Sequence, residues 1–293
     1  MFPEAIRAVR EIRPEIFIFE NVRGLLRASF RPYFEYIIKQ LTFPEITRSE
    51  NMSWEEHSKL LDKHVSSDDE LQYKVAYHLF NAADYGIPQL RQRVIIVGFR
   101  SDFNTVWTPP KPTNSEDGLI YDKWISGKYW KRHNMKAPRM PDVSEARIKR
   151  AKNNIENRRS VHQPWQTVRD AIGDLPDPES DYDKEKYFDH DFRPGAKIYP
   201  GHSGSQLDLP SKTIKAGGHG VPGGENMFIK DDGICRYYTV RESARIQTFP
   251  DEYRFSASWT ESMRQIGNAV PVKLATIVGQ SVMKQLKEVL NGK

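Results

Sequence analysis

Three short clusters in this sequence carry the side chains best placed to do chemistry. Glu20-Asn21-Val22 ends an apolar run, Ile16 to Phe19, and Gly24 follows. A strand built this way delivers a carboxylate to a site at its C-terminal end, although the same position also suits a helix cap or a surface acid. Gln89-Leu90-Arg91-Gln92-Arg93 lies between a glycine–proline turn and another apolar run. Alternation along an extended segment puts Gln89, Arg91 and Arg93 on one side. Two guanidiniums aimed one way suit phosphate, a carboxylate or a base oxygen, and the plainer alternative is one structural pair, for instance with Asp84. The third cluster is in two parts, "RESARIQTFPDEY" (Arg241 to Tyr253) and "QIGNAVPVKLA" (Gln265 to Ala275). There Gly267 to Pro271 reads as a loop feeding a helix N-terminus, where amides meet a carboxylate-bearing ligand, or as an ordinary turn and cap.

The elements that must hold these residues follow from periodicity. Residues 1–13 predict a helix with Ile6, Val9 and Ile12 on one face, broken by Pro14. Ile16 to Phe19 is a short, wholly apolar strand of the kind found in parallel sheets covered on both faces. A helix is expected over about 31–41, and a polar insertion with a short helix over 45–72. Strands follow at 73–79 and 94–99. Beyond Arg100 proline, glycine and scattered tryptophans replace periodicity, which predicts a loop-rich domain reaching about Tyr238. Order returns with Val240 to Gln247. A last helix starts at Pro271, with Leu274, Ile277, Val278, Val282, Leu286 and Val289 facing a core.

Composition narrows the partners. The 293 residues carry a net charge of +5, which favours a polyanion. From Arg139 to Arg169 there are eight Arg/Lys against three acids, a block that suits a phosphate backbone or a solvated helix face. The single cysteine, Cys235, excludes a disulfide framework. The eight histidines lack ligand spacing, so no metal is expected, and no apolar run is long enough to span a bilayer. A soluble intracellular protein is expected.

Taken together and in this order, the clusters resemble the 5-methylcytosine DNA methyltransferase family over roughly residues 1–30, 73–100 and 205–280. Glu20-Asn21-Val22 matches its ENV motif, and Gln89, Arg91 and Arg93 match its Gln-x-Arg-x-Arg motif. Arg241, Arg245, Gln247, Phe249 and Pro250 match the next signature, and Gly267 to Val270 the Gly-Asn-Ala-Val motif. The resemblance implies the C-terminal part of a Rossmann-like, S-adenosylmethionine-dependent α/β sheet with an inserted target-recognition domain. It divides the chain into a partial catalytic domain (1–104), a target-recognition domain (105–238) and a return segment (239–293).

The family's chemistry assigns roles by position. A cysteine thiolate adds to carbon 6 of a flipped cytosine in double-stranded DNA. Glu20 is implied to hold ring nitrogen 3, and Arg93 the base oxygen at position 2, with Arg91 in support. Carbon 5 then receives the methyl group of S-adenosylmethionine, one edge of whose site is implied at Asn268, Ala269 and Val270. Gln89, Lys212, Thr213, Lys215, His219 and Arg241 are candidate DNA contacts, beside a glycine cluster at 217–224.

Two family motifs normally precede ENV: a Phe-x-Gly-x-Gly cofactor loop and the Pro-Cys-Gln nucleophile. Residues 1–20 contain neither glycine nor cysteine, and Cys235 stands in "DGICRYY". The expectation is therefore a C-terminal portion that is inactive alone, with an exposed strand edge at Ile16 to Phe19 and a complementing N-terminal polypeptide. The alternatives are a sequence-specific DNA-binding remnant without catalysis, or a truncated gene product.

Overall fold

The computed structural model describes residues 2–65, 67, 70–200, 203–216 and 226–291. His219 and the glycine cluster around it fall outside them. The chain packs as two compact units. The first comprises 1–80, 92–110 and 277–293, and the second 81–91 and 111–276. Residues 105–110 pack with the first unit and residues 239–276 with the second.

In the first unit, helix α1 (Phe2–Ile12) leads into strand β1 (Ile16–Val22). Helices α2 (Arg31–Thr42) and α3 (Trp54–Lys63) follow, then strands β2 (Tyr73–Asn81) and β3 (Gln92–Arg100). Helix α3 starts on a capping box, in which the Ser53 hydroxyl accepts from the Glu56 amide and the Glu56 carboxylate accepts from the Ser53 amide. The strands form one sheet in the order β1-β3-β2. One sheet face and the helices share a core of Ile6, Val9, Phe17, Phe34, Ile37, Val94 and Ile96. Phe17 stands opposite Gly98, where a side chain's Cβ would lie 2.3 Å from the phenylalanine ring, so only glycine lets the ring lie flat on the strand.

Two local expectations are corrected. The pairing of β1 with β3 is antiparallel, and among the described residues β3 is its one strand neighbour. Ile18 is 44% and Val22 53% exposed because, with Glu20, they lie on the face of β1 turned away from the core. Ile12, expected on the buried face of α1, is 73% exposed because it occupies the last turn.

The second unit begins with four helices that the weak periodicity hid: α4 (Glu116–Trp124), α5 (Lys128–Arg132), α6 (Glu145–Glu156) and α7 (Val168–Ile172). Residues 173–200 and 203–204 form no helix or strand. A small sheet follows, β4 (Ser205–Gln206) beside β5 (Met227–Ile229) beside β6 (Cys235–Tyr237). Helices α8 (Val240–Ile246) and α9 (Trp259–Asn268) pack on it around Ile214, Phe228, Tyr238, Met263 and Ile266. Helix α10 (Val272–Asn291) belongs to the second unit through Thr276 and to the first beyond it. In the first unit Ser281 accepts from the Trp107 indole, and Gln285 donates to the Thr105 hydroxyl.

Candidate functional site

The strand register explains how Glu20 meets Arg93. Glu20 stands opposite Ile95 and Val22 opposite Arg93, so Glu20 and Arg93 are diagonal neighbours on one face of the β1–β3 pair. Arg93 Nε lies 2.6 Å from Glu20 Oε1, with the guanidinium 12% and the carboxylate 30% exposed. Burial pulls Arg93 below its usual pKa, and the Glu20 charge and hydrogen bond oppose that. Arg93 Nη1 also donates to the Gln92 carbonyl, and Arg23 Nη1 donates to the Gln92 side chain at 2.8 Å. Neither Arg23 nor Gln92 was expected at the site. No motif marks them, and only the register brings them within reach. A pocket of about 530 Å³ opens beside Asn21 and Val22, walled by Phe2, Phe30 and Tyr33.

The remaining motif residues meet in the second unit as a buried polar knot. Arg91 is fully buried and donates to the carbonyls of Ile214 (2.9 Å), Gly267 (2.6 Å) and Ala269 (2.9 Å). Gln89, also fully buried, donates to Gln247 Oε1 and accepts from the Ile214 amide. Gln247 in turn donates to the Ile266 and Ala269 carbonyls. These bonds tie together segments 89–91, 213–214, 247 and 266–269, which are far apart in sequence. Gly267 is required at the crossing, because a Cβ there would lie 2.2 Å from the Ala216 nitrogen.

Several expected DNA contacts are relocated by this geometry. Gln89 has both ends of its amide committed inside the protein, so it presents nothing to a nucleic acid. Arg241 is 2% exposed, donates to the carbonyls of Phe188, Pro250 and Tyr253, and lies over the Phe188 ring. Its role is to tie the loop before α9 to segment 188–189. Lys212 reaches Ser203 Oγ at 3.0 Å, and the Thr213 hydroxyl donates to the Leu90 carbonyl at 2.6 Å. Lys215 is exposed, its backbone held on both sides by the Asn226 amide. Helix α9 continues through Gly267 and Asn268, where a loop was expected. Asn268 is exposed, while Ala269 and Val270 are half-buried before α10. Cys235 lies in β6 opposite Ile229, half-buried.

The model for C-5 cytosine-specific DNA methylase matches residues 1–44 and 49–284. The chain belongs to that family. Similar members include the type II methyltransferase M.MthTI of Methanothermobacter thermautotrophicus, 28% identical over 97% of this chain and 70% of that protein. M.BsuRI of Bacillus subtilis is 28% identical over 94% of this chain and 51% of its own length. M.NgoFVII of Neisseria gonorrhoeae is 29% identical over 97% and 62%. This methylase chain thus spans between about half and 70% of these relatives. A crystal structure of a mutant Spodoptera frugiperda DNMT2 matches its fold at a TM-score of 0.51 and 14% identity, over 98% of this chain and 71% of that one. The fold is accordingly the mixed α/β one of the methylase family. Among the described residues no group of acids, histidines and cysteine could hold a metal ion, and no helix is long and apolar enough to cross a membrane.

Proposed function

We propose that this chain carries the base-holding part of a DNA cytosine-5 methyltransferase of the type II restriction–modification kind, acting on double-stranded DNA in the cytoplasm of a bacterium. The observation that carries the reading is the Glu20–Arg93 pair at the end of β1, a carboxylate and a guanidinium held together on one strand face. Glu20 keeps its carboxyl group partly open to solvent and can bond ring nitrogen 3 of a flipped cytosine. Arg93, fixed by Glu20 and by the Gln92 carbonyl, has donors directed by its planar fork toward the base oxygen at position 2. Arg91 acts at one remove, holding the C-terminal end of α9 at 267–269 in place. Residues 105–238 serve as the target-recognition segment, with Lys212, Thr213 and Lys215 at the DNA.

S-adenosylmethionine supplies the methyl group when bound. The exposed Asn268 and half-buried Ala269 and Val270 fit one wall of its site, stiffened because Arg91 and Gln247 both bond the Ala269 carbonyl. The attacking thiolate is not Cys235, which sits in a β-strand pair of the small sheet. The thiolate and the rest of the cofactor pocket are supplied from outside these 293 residues, by the same polypeptide or by a second one, and these residues alone are inactive. The open edge of β1 supports that reading. The test is methyl transfer to DNA, with and without a polypeptide bearing the glycine-rich loop and the Pro-Cys-Gln motif. Activity should need both chains, and Glu20→Gln should lower it about a hundredfold or more while DNA binding persists. Methylation by this chain alone, or unchanged turnover in Glu20→Gln, would refute the assignment.

A further inference from the structure

A second cleft in the first unit lies among α1, α2 and the segment entering α3. Its volume is about 370 Å³, within the roughly 300–1,000 Å³ usual for small-molecule sites. Three rings wall it: Tyr33 and Trp54 stand 5.4 Å apart edge-to-face, and Tyr36 lies 5.8 Å from Tyr33 and 5.7 Å from Trp54. Arg10 and Arg48 line the same space together with Gln40, and no acid does. Neither arginine forms an ion pair among the described residues; each spends one donor on a backbone carbonyl, Arg10 on Pro44 and Arg48 on Met52. The positive field reaches inward, since Arg48 acts on both Tyr36 and His57. A structural arginine pair would carry carboxylate partners, and a purely apolar cleft would carry no guanidinium.

We propose that this cleft binds a nucleotide, with the base against Tyr33 and Trp54 and the phosphate on Arg10 and Arg48. Aromatic faces accept any base by stacking, and guanidiniums bond phosphate through paired donors. Neither Glu20 nor Arg93 lines this cleft, although Tyr33 also borders the pocket beside Asn21 and Val22, and the proposal stands whether or not the methyltransferase reading holds.

Calorimetric titration of the chain with adenosine 5′-monophosphate, adenosine and inorganic phosphate tests it. The monophosphate should bind more tightly than either part. The double substitution Arg10→Gln with Arg48→Gln should weaken the monophosphate about tenfold or more while leaving adenosine little changed. Trp54→Phe should retain most affinity and Trp54→Ala should lose it. Thermal melts identify any variant that fails to fold, and Arg48→Gln, at an exposed position, carries the test alone in that case. Tighter binding of a short 5′-phosphorylated single-stranded oligonucleotide would identify a DNA end as the source, and parity would identify the free nucleotide; both support the site. Monophosphate affinity that survives in the arginine variants, including through binding beside Asn268, would overturn it.

Discussion

Single residues in this protein take their meaning from burial, which sequence pattern does not carry. Arg91 and Arg93 are two positions apart in one motif, yet one donates to three backbone carbonyls in a sealed interior and the other faces Glu20. Gln89 and Arg241 have the polarity of DNA contacts and work instead as internal ties. His57 shows how such burial becomes measurable. It is fully buried in α3, its Nδ1 2.9 Å from the Tyr36 hydroxyl, and burial, then the Arg48 charge, holds its pKa below the usual 6.5. The unfolded chain therefore binds a proton that the folded chain resists, so this histidine removes stability as pH falls below 6.5. Melting temperature should drop between about pH 7.5 and about pH 5.5, and the drop should be shallower in His57→Gln. Some slope should remain, because burial also lowers His78. Parallel pH profiles for the two proteins would reject the assignment.

Elements were legible where their period was strong. Helices α1, α2 and α10 and strands β2 and β3 stand within a residue or two of where apolar spacing puts them. That Glu20 and Arg93 pair at 2.6 Å follows from the strand register, which residue types and order alone do not give. Helices α4 and α5 were missed because their buried faces are made of Leu119, Ile120, Tyr129 and Trp130 among charged residues, with no regular stripe. The antiparallel partner of β1 was illegible because a four-residue apolar run says nothing about direction. The polar knot was illegible for a different reason: its bonds join carbonyls, which every residue has. Gly267 is the best probe of that knot. Glycine inside a helix normally costs about 1 kcal/mol relative to alanine, so Gly267→Ala in α9 would ordinarily stabilise. Here the new methyl would meet the Lys215–Ala216 backbone at 2.2–2.6 Å, which cannot rotate away. Chemical denaturation should show a loss of about 2–4 kcal/mol. A gain in stability would mean that segment 215–216 does not cross α9 there.

At the scale of the whole molecule the net charge of +5 is unevenly spread, and its densest part coincides with α6 and the turn after it. That helix buries Ala151 and Ile155 on one side. On the other it exposes Lys149 and Arg150, followed by Arg158 and Arg159, and none of the four forms an ion pair among the described residues. Arg147 and Lys152, by contrast, are answered by Glu116 and Glu156. A merely solvated helix face gains from pairing its charges at i,i+4 spacing, as Lys152 does. Four cations left without partners fit a surface completed by phosphates. Each phosphate contact releases condensed counterions, which adds about 0.9 to the slope of log affinity against log salt. Replacing Lys149 and Arg150 with glutamine should therefore weaken DNA binding at low salt and reduce that slope by about two, similarly for every DNA sequence tried. Because both positions are exposed and unpaired, melting temperature should stay within a degree or so of the parent. An unchanged slope would return α6 to the role of a solvated face.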